Sequence, residues 1–431
     1  MQELAASFFL QMAVILCACR VVGWLARRIG QPQVVGEMIA GVLLGPSLVG
    51  FLFPEASARL FTAETRGMLY IGSQLGVGLY MFLVGMEFRT ELFRERARSA
   101  ASVSVAGMVA PFVLGALLAP WLITVPGLFA ASTRLHEAAL FLGAAIAITA
   151  FPMLARIIHE RGLAGTSLGT LALAAGAIDD AAAWCVLAIV LASFGGDSAI
   201  AVIAIGGGFL YAAFMLTLGR RWLAILGRLV LRDGHVTPAM MAVILMLFCL
   251  SAWFTDRIGI HAVFGGFLLG IAMPRGPLTE GLRNKLEPFT VVFLLPMFFT
   301  FSGLNTRLEV MLQPQILLIA GVVLIASTLG KGVACWAAAR FHGEDNRTAL
   351  AVGALMNSRG LMELIIINIG LQMGIIGREL FAILVVMAIV TTLMATPIFE
   401  WVYGRHLKKS RQPSAESHRK PQHPPHADPP H

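Results

Sequence analysis

Two adjacent aspartates, Asp179 and Asp180, lie near the middle of an otherwise apolar run from Leu168 to Phe194. A carboxylate at a bilayer centre costs about 2.5–3.5 kcal/mol on insertion scales. Two side by side therefore require a partner or water, and their chemistry is reversible protonation or cation binding. Neighbouring residues on a helix point about 100° apart, so one Asp can meet a fixed cation while the other faces a cavity. Lys331, the only charge between Ile316 and Ala339, is that cation. It lies roughly 14 Å from the basic end of its run at Arg340, and Asp179 lies roughly 16 Å from Leu168, at 1.5 Å per residue. Both depths fall near the middle of a hydrocarbon core about 30 Å thick. The spacing predicts a Lys331–Asp179 pair. A purely structural salt bridge fits one Asp and leaves Asp180 unexplained.

The elements that position these groups are interrupted. AAIAITAFPMLARIIHE breaks at Thr149, Ala150, Phe151 and Pro152, and GALMNSRGLMELIIINIG breaks at Asn357, Ser358, Arg359 and Gly360. Proline removes a helix hydrogen bond, and irregular backbone at this depth is tolerated only beside a cavity or packed protein. A single break is most often a harmless kink. Two breaks, in matching places of two sets of six segments, are the sequence sign of a transporter site. Glu363 follows Arg359 at i+4 and is read as its ion-pair partner, steadying the second break. Glu37, Glu87 and His261 are read as structural.

Composition sets the class. The chain has 431 residues, 58% of them hydrophobic and 13% charged, with mean hydropathy +0.80. Soluble domains carry about 25% charged residues. About thirteen apolar segments of membrane-spanning character follow one another. The net charge of +8 reads as topology, not nucleic-acid binding. Arg27, Arg28, Arg94, Arg96, Arg98, Arg220, Arg221, Arg228, Arg232, Lys408 and Lys409 all fall at ends assigned to the inside. Only scattered arginines such as Arg59, Arg134 and Arg378 fall outside. By the positive-inside rule the N-terminus is outside and the C-terminus inside. The five cysteines lie in apolar runs, which argues against disulfides or a metal cluster. The Pro- and His-rich tail is expected to be disordered.

At these residues the chain resembles the monovalent cation:proton antiporter family two, the Kef-type bacterial transporters and plant cation/proton exchangers. The resemblance runs over about residues 5–402 and is carried by QPQVVGEMIAGVLLGPSLVG, FLVGMEF, ITAFPMLARI, LALAAGAIDDAAAW, GIHAVFGGFLLGIAMPRG, LLPMFFTFSGLNT, LGKGVACW and MNSRGLMELIIINIG. It implies an all-α polytopic membrane protein with an NhaA-type fold of inverted six-helix repeats and two broken crossing helices. Residues 1–98 and 236–314 would form a dimerisation domain, 99–197 and 315–403 a mobile core, 198–235 a linker, and 404–431 a cytoplasmic tail. It implies a homodimer in a bacterial inner membrane, working by an elevator motion with Na⁺ or K⁺ and H⁺ as substrates. By the same resemblance Asp180 binds the ion and proton, Asp179 is the preceding acid and Lys331 its partner. The paired-Asp form implies electrogenic exchange. No cofactor and no nucleic-acid partner is expected. The soluble nucleotide-binding domain of Kef-type systems has no counterpart in the short tail, so nucleotide gating is not expected.

Two rival chemistries fit the sequence less well. A gated passive K⁺ efflux pathway needs a carbonyl filter or a charge ring, and no such pattern stands in the sequence. An intramembrane aspartyl protease needs two carboxyls close enough to share a proton, which neighbours diverging on one helix do not provide. The expectation is therefore a transporter and not an enzyme.

Overall fold

A computed structural model of the chain describes residues 2–87, 93–163, 166–194, 198–258 and 262–404. His261 and the tail beyond Gly404 fall outside these residues. In chain order the helices are α1 (Gln2–Arg28), α2 (Gln33–Leu44), α3 (Val49–Leu52), α4 (Pro54–Leu60), α5 (Ala63–Glu87), α6 (Phe93–Leu122), α7 (Leu135–Ala147), α8 (Phe151–Glu160) and α9 (Ser167–Phe194). There follow α10 (Ser198–Phe214), α11 (Arg220–Asp233), α12 (Pro238–Arg257), α13 (Ala262–Ala272), α14 (Pro277–Phe289), α15 (Leu295–Leu304), α16 (Pro314–Phe341), α17 (Asn346–Met356), α18 (Leu361–Gln372) and α19 (Arg378–Phe399). Among the described residues, 9 helical stretches are long and apolar enough to cross a membrane, and further apolar helices of 10–17 residues accompany them.

Local chemistry explains where many helices start and stop. Thr237 accepts from Met240 N at 3.3 Å and Pro238 takes the first position of α12. Asp345 accepts from Arg347 N at 3.0 Å and Thr348 N at 3.2 Å to cap α17. Hydrogen bonds from Thr348 hold its carboxyl below the usual range. α10 runs through a π-helical stretch, Met215–Gly219, into α11, which ends at Gly234 in the left-handed region (φ 74°). Another π-helical stretch, Thr290–Leu294, follows the internal Pro288 and joins α14 to α15.

The helices pack in two groups. α5 lies along α13 and α15, and α2 lies along α1 and α15. α6 lies along α7, α9 and α16, while α17 packs on α9, α16 and α19. In the first group, a Cβ on Gly303 would stand 1.9 Å from the Gly41 carbonyl oxygen, so α2 and α15 touch backbone to backbone. Short contacts also join the loops of the second group. Phe129 and Ile376 form an antiparallel bridge, with Gly377 N donating to Leu128 O at 2.8 Å.

Two apolar segments are each split in two. α7 stops at Ala147 and α8 resumes at Phe151; α17 stops at Met356 and α18 resumes at Leu361. The interruptions touch: Ala150 N donates to Ser358 O at 3.1 Å.

Candidate functional site

Breaking a helix inside a bilayer strands the carbonyls of its last turn. At the end of α7 two buried cations meet them. Arg359 reaches Ala145 O at 3.4 Å and Ile148 O at 3.5 Å and also donates to Ile146 O. Lys331 Nζ donates to Ala147 O. The carbonyl end of α7 carries the negative pole of the helix dipole, so both contacts are favourable in charge as well as geometry. Arg359 is itself paired with Glu363 Oε1 at 3.2 Å, both side chains fully buried.

Asp179 stands beside this end, inside α9, with no exposed surface. Three donors converge on its carboxylate. Ser104 Oγ, from α6, donates to Oδ1 at 2.5 Å, and Thr149 Oγ1, in the first break, donates to Oδ2 at 2.6 Å. Lys331 Nζ, from α16, lies 3.1 Å from Oδ2. The ammonium also donates to Gly107 O at 3.0 Å, so its three protons go to Asp179, Gly107 and Ala147. A buried carboxylate without such donors is costly; here charge and hydrogen bonds are matched group for group.

The second break is held from two sides. Asn357 Nδ2 donates to Thr328 O and to Gly353 O, each at 3.1 Å. Thr392 Oγ1, on α19, accepts from Arg359 N at 3.1 Å and sits 2.7 Å from Arg359 O. Its one hydroxyl proton is shared between Arg359 O and Ala388 O, both at 2.7 Å, so the hydroxyl ties the irregular residue to α19. Ser358 is buried, and Gly360 packs so closely on Met153 that a Cβ there would lie 2.9 Å from its Cγ.

The residues singled out in the sequence are distributed as follows. Asp179, Lys331, Thr149, Ala150, Asn357, Ser358, Arg359, Gly360 and Glu363 gather around the two touching breaks, with Phe151 opening α8. Asp180 occupies the next position of α9, and Pro152 the second of α8; their side chains fall outside the described residues. Glu37 accepts from Gln33 Nε2 at 2.7 Å, and Glu87 pairs with Arg283 at 2.9 Å. Among the described residues no group of three His, Cys, Asp or Glu could hold a metal ion. Sequence reasoning missed Ser104, Gly107 and Thr392. A serine or threonine in an apolar helix most often bonds its own preceding turn, so nothing in SVSVAG marks Ser104 out from Ser102.

The chain matches the family described as sodium/hydrogen exchanger, transmembrane, over residues 13–403. It is 39% identical over 395 residues to the Na(+)/H(+) antiporter NhaS4 of Synechocystis, covering 90% of this chain and 95% of that one. It is 28% identical to the Na(+)/H(+)-K(+) antiporter GerN of Bacillus cereus, covering 92% and 96%. It is 34% identical to Cation/H(+) antiporter 20 of Arabidopsis thaliana, where it covers 95% of this chain but spans 49% of that longer protein. The sodium proton antiporter MjNhaP1 of Methanocaldococcus jannaschii has the same fold, with TM-score 0.65 and 13% identity over 94% of this chain and 98% of that one.

Proposed function

The chain belongs to the sodium/hydrogen exchanger family, and from that premise we propose that it exchanges Na⁺ or K⁺ for protons at Asp180, across a bacterial inner membrane. The family is broader than the Kef-type and plant grouping that the motifs resemble. Relatives named for Na⁺, for K⁺ and for both support leaving the cation as either. The observation that carries the site is the saturation of Asp179. Its carboxylate is engaged by Ser104, Thr149 and Lys331, and the other intramembrane acid at this depth, Glu363, is engaged by Arg359. The variable charge therefore falls to Asp180, one residue further along α9.

In this reading the cation and the proton compete for one carboxylate. Deprotonated Asp180 takes the cation, and the second break carries two buried side-chain oxygens with no other partner among the described residues, Asn357 Oδ1 and Ser358 Oγ. Protonation expels it. Asp179 and Lys331 keep a fixed, internally neutral pair beside the site, and Arg359 with Glu363 holds the broken helix end. Exchange is electrogenic and alternates access by an elevator motion. The helices of 99–197 and 315–403 move as a core against those of 1–98 and 236–314, with 198–235 as linker. The grouping of the packed helices supports that division. The protein works as a homodimer, N-terminus outside and C-terminus inside.

Proteoliposomes with an internal pH dye test the reading. Addition of Na⁺ or K⁺ is expected to move protons in the wild type and to leave them unmoved in Asp180→Asn of the same thermal stability. Undiminished proton movement in Asp180→Asn would overturn the assignment.

A further inference from the structure

Away from the aspartates, α18 meets α5 and α15 around a cavity of about 10 Å³, room for one water. Asn368, Gln74 and Gln372 bring three amide side chains to its wall, among Val77, Phe298 and Ile365. Asn368 is 4% exposed. Its Nδ2 donates to Leu364 O at 2.8 Å and to Ser302 Oγ at 3.0 Å. A backbone carbonyl can only accept, so the contact with Leu364 fixes which end of the amide is nitrogen. Asn368 Oδ1, the other end of an amide that lines the cavity, is thereby left with no partner among the described residues. A buried carbonyl oxygen left unmet is costly, so a polar species in the adjoining cavity completes it.

The position of this cavity says which species. Gln372 is exposed at the end of α18 and Asn368 lies one turn deeper on the same helix. Gln372 also accepts from Tyr70 at 3.4 Å across the seam. From Gln372 to Leu361, where α18 leaves the second break, is roughly 16 Å at 1.5 Å per residue. The amides therefore stand at the exposed end of the helix that leads to the second break. Neutral amide oxygens replace hydration waters of a monovalent cation without the deep trap a carboxylate would make.

We propose that Asn368, with Gln74 and Gln372, forms a transient station for the transported cation stripped of its waters, on the Gln372 side of the membrane. This rests on the transport reading above, in whose orientation that side is the outside.

Asn368→Leu and Gln74→Leu are compared with the wild type in right-side-out and inside-out vesicles, measuring KM for Na⁺ and K⁺ from each face and the Tm of the purified proteins. The second variant alters a half-buried residue and guards against misfolding of the first. A rise of about fivefold in KM from the Gln372 face, the loss of one favourable contact, with the opposite-face KM unchanged, is expected for either folded variant. Equal KM changes from both faces, or unchanged KM values from the Gln372 face, would mean the cavity holds water alone and overturn the proposal while leaving exchange intact. Absence of cation-driven proton movement in the wild type would instead remove the transport reading, and this station with it.

Discussion

At Asp179 the buried carboxylate is met by side chains from three other segments: the ammonium of Lys331 on α16 neutralises it, and the hydroxyls of Ser104 of α6 and Thr149 of the first break donate to it. Each is worth more than a surface contact because no water competes for it. The pair also resists piecemeal removal. Taking one partner from a buried ion pair typically costs about 3–5 kcal/mol, since the other is left charged and unmet. Lys331→Ala is expected to lower stability by that order. Asp179→Asn combined with Lys331→Gln should lose less than the sum of the single changes, because no orphan charge remains. Melting curves of the four proteins in nanodiscs form the cycle, and strict additivity would show that the two residues are not coupled.

At the scale of the helix, α7 can stop in the middle of the molecule because its carbonyl end is met by Arg359 and Lys331. The planar guanidinium spans several carbonyls and Glu363 at once, which a single ammonium cannot. Arg359→Lys therefore keeps the charge and loses the geometry. It is expected to destabilise the protein by about 1–3 kcal/mol, the cost of leaving buried acceptors unmet, and to lower exchange more than a surface Arg→Lys change does. Thermal unfolding together with the proteoliposome assay measures both, and wild-type values in each would remove the role given to the guanidinium. Thr392 acts on the same element from α19 by accepting from Arg359 N.

Across the whole molecule, the polar work is concentrated where α6, α9 and α16 meet the two breaks, while α2 and α15 are locked backbone to backbone. A methyl on Gly303 would stand 1.9 Å from the Gly41 carbonyl oxygen. Neither helix backbone can yield without moving its neighbours. Gly303→Ala is expected to cost at least about 1–3 kcal/mol by overpacking. By contrast, Gly321→Ala in α16, where an added Cβ meets nothing within 4 Å, should be neutral or slightly stabilising. A fluorescence size-exclusion melting assay distinguishes them, and equal melting temperatures would contradict the close approach.

The sequence by itself determined that the chain is a bundle of apolar helices, because each long run has nowhere else to satisfy its backbone than within itself. It also determined that Asp179, Asp180 and Lys331 are the costly charges and that two segments are interrupted, since charge, proline and glycine leave their mark residue by residue. Equal depth along two runs was enough to predict a Lys331–Asp179 pair, which stands at 3.1 Å in the fold. Which hydroxyl completes the cage was decided only in three dimensions. Ser102 and Ser104 look alike in the sequence, and the choice depends on the rotation of α6 about its axis, set by its packing on α7, α9 and α16. The grip of Thr392 on Arg359 and the unmet oxygen of Asn368 arise in the same way. They depend on contacts between segments far apart in the chain, and such contacts are set by how helices dock, a property no local pattern encodes.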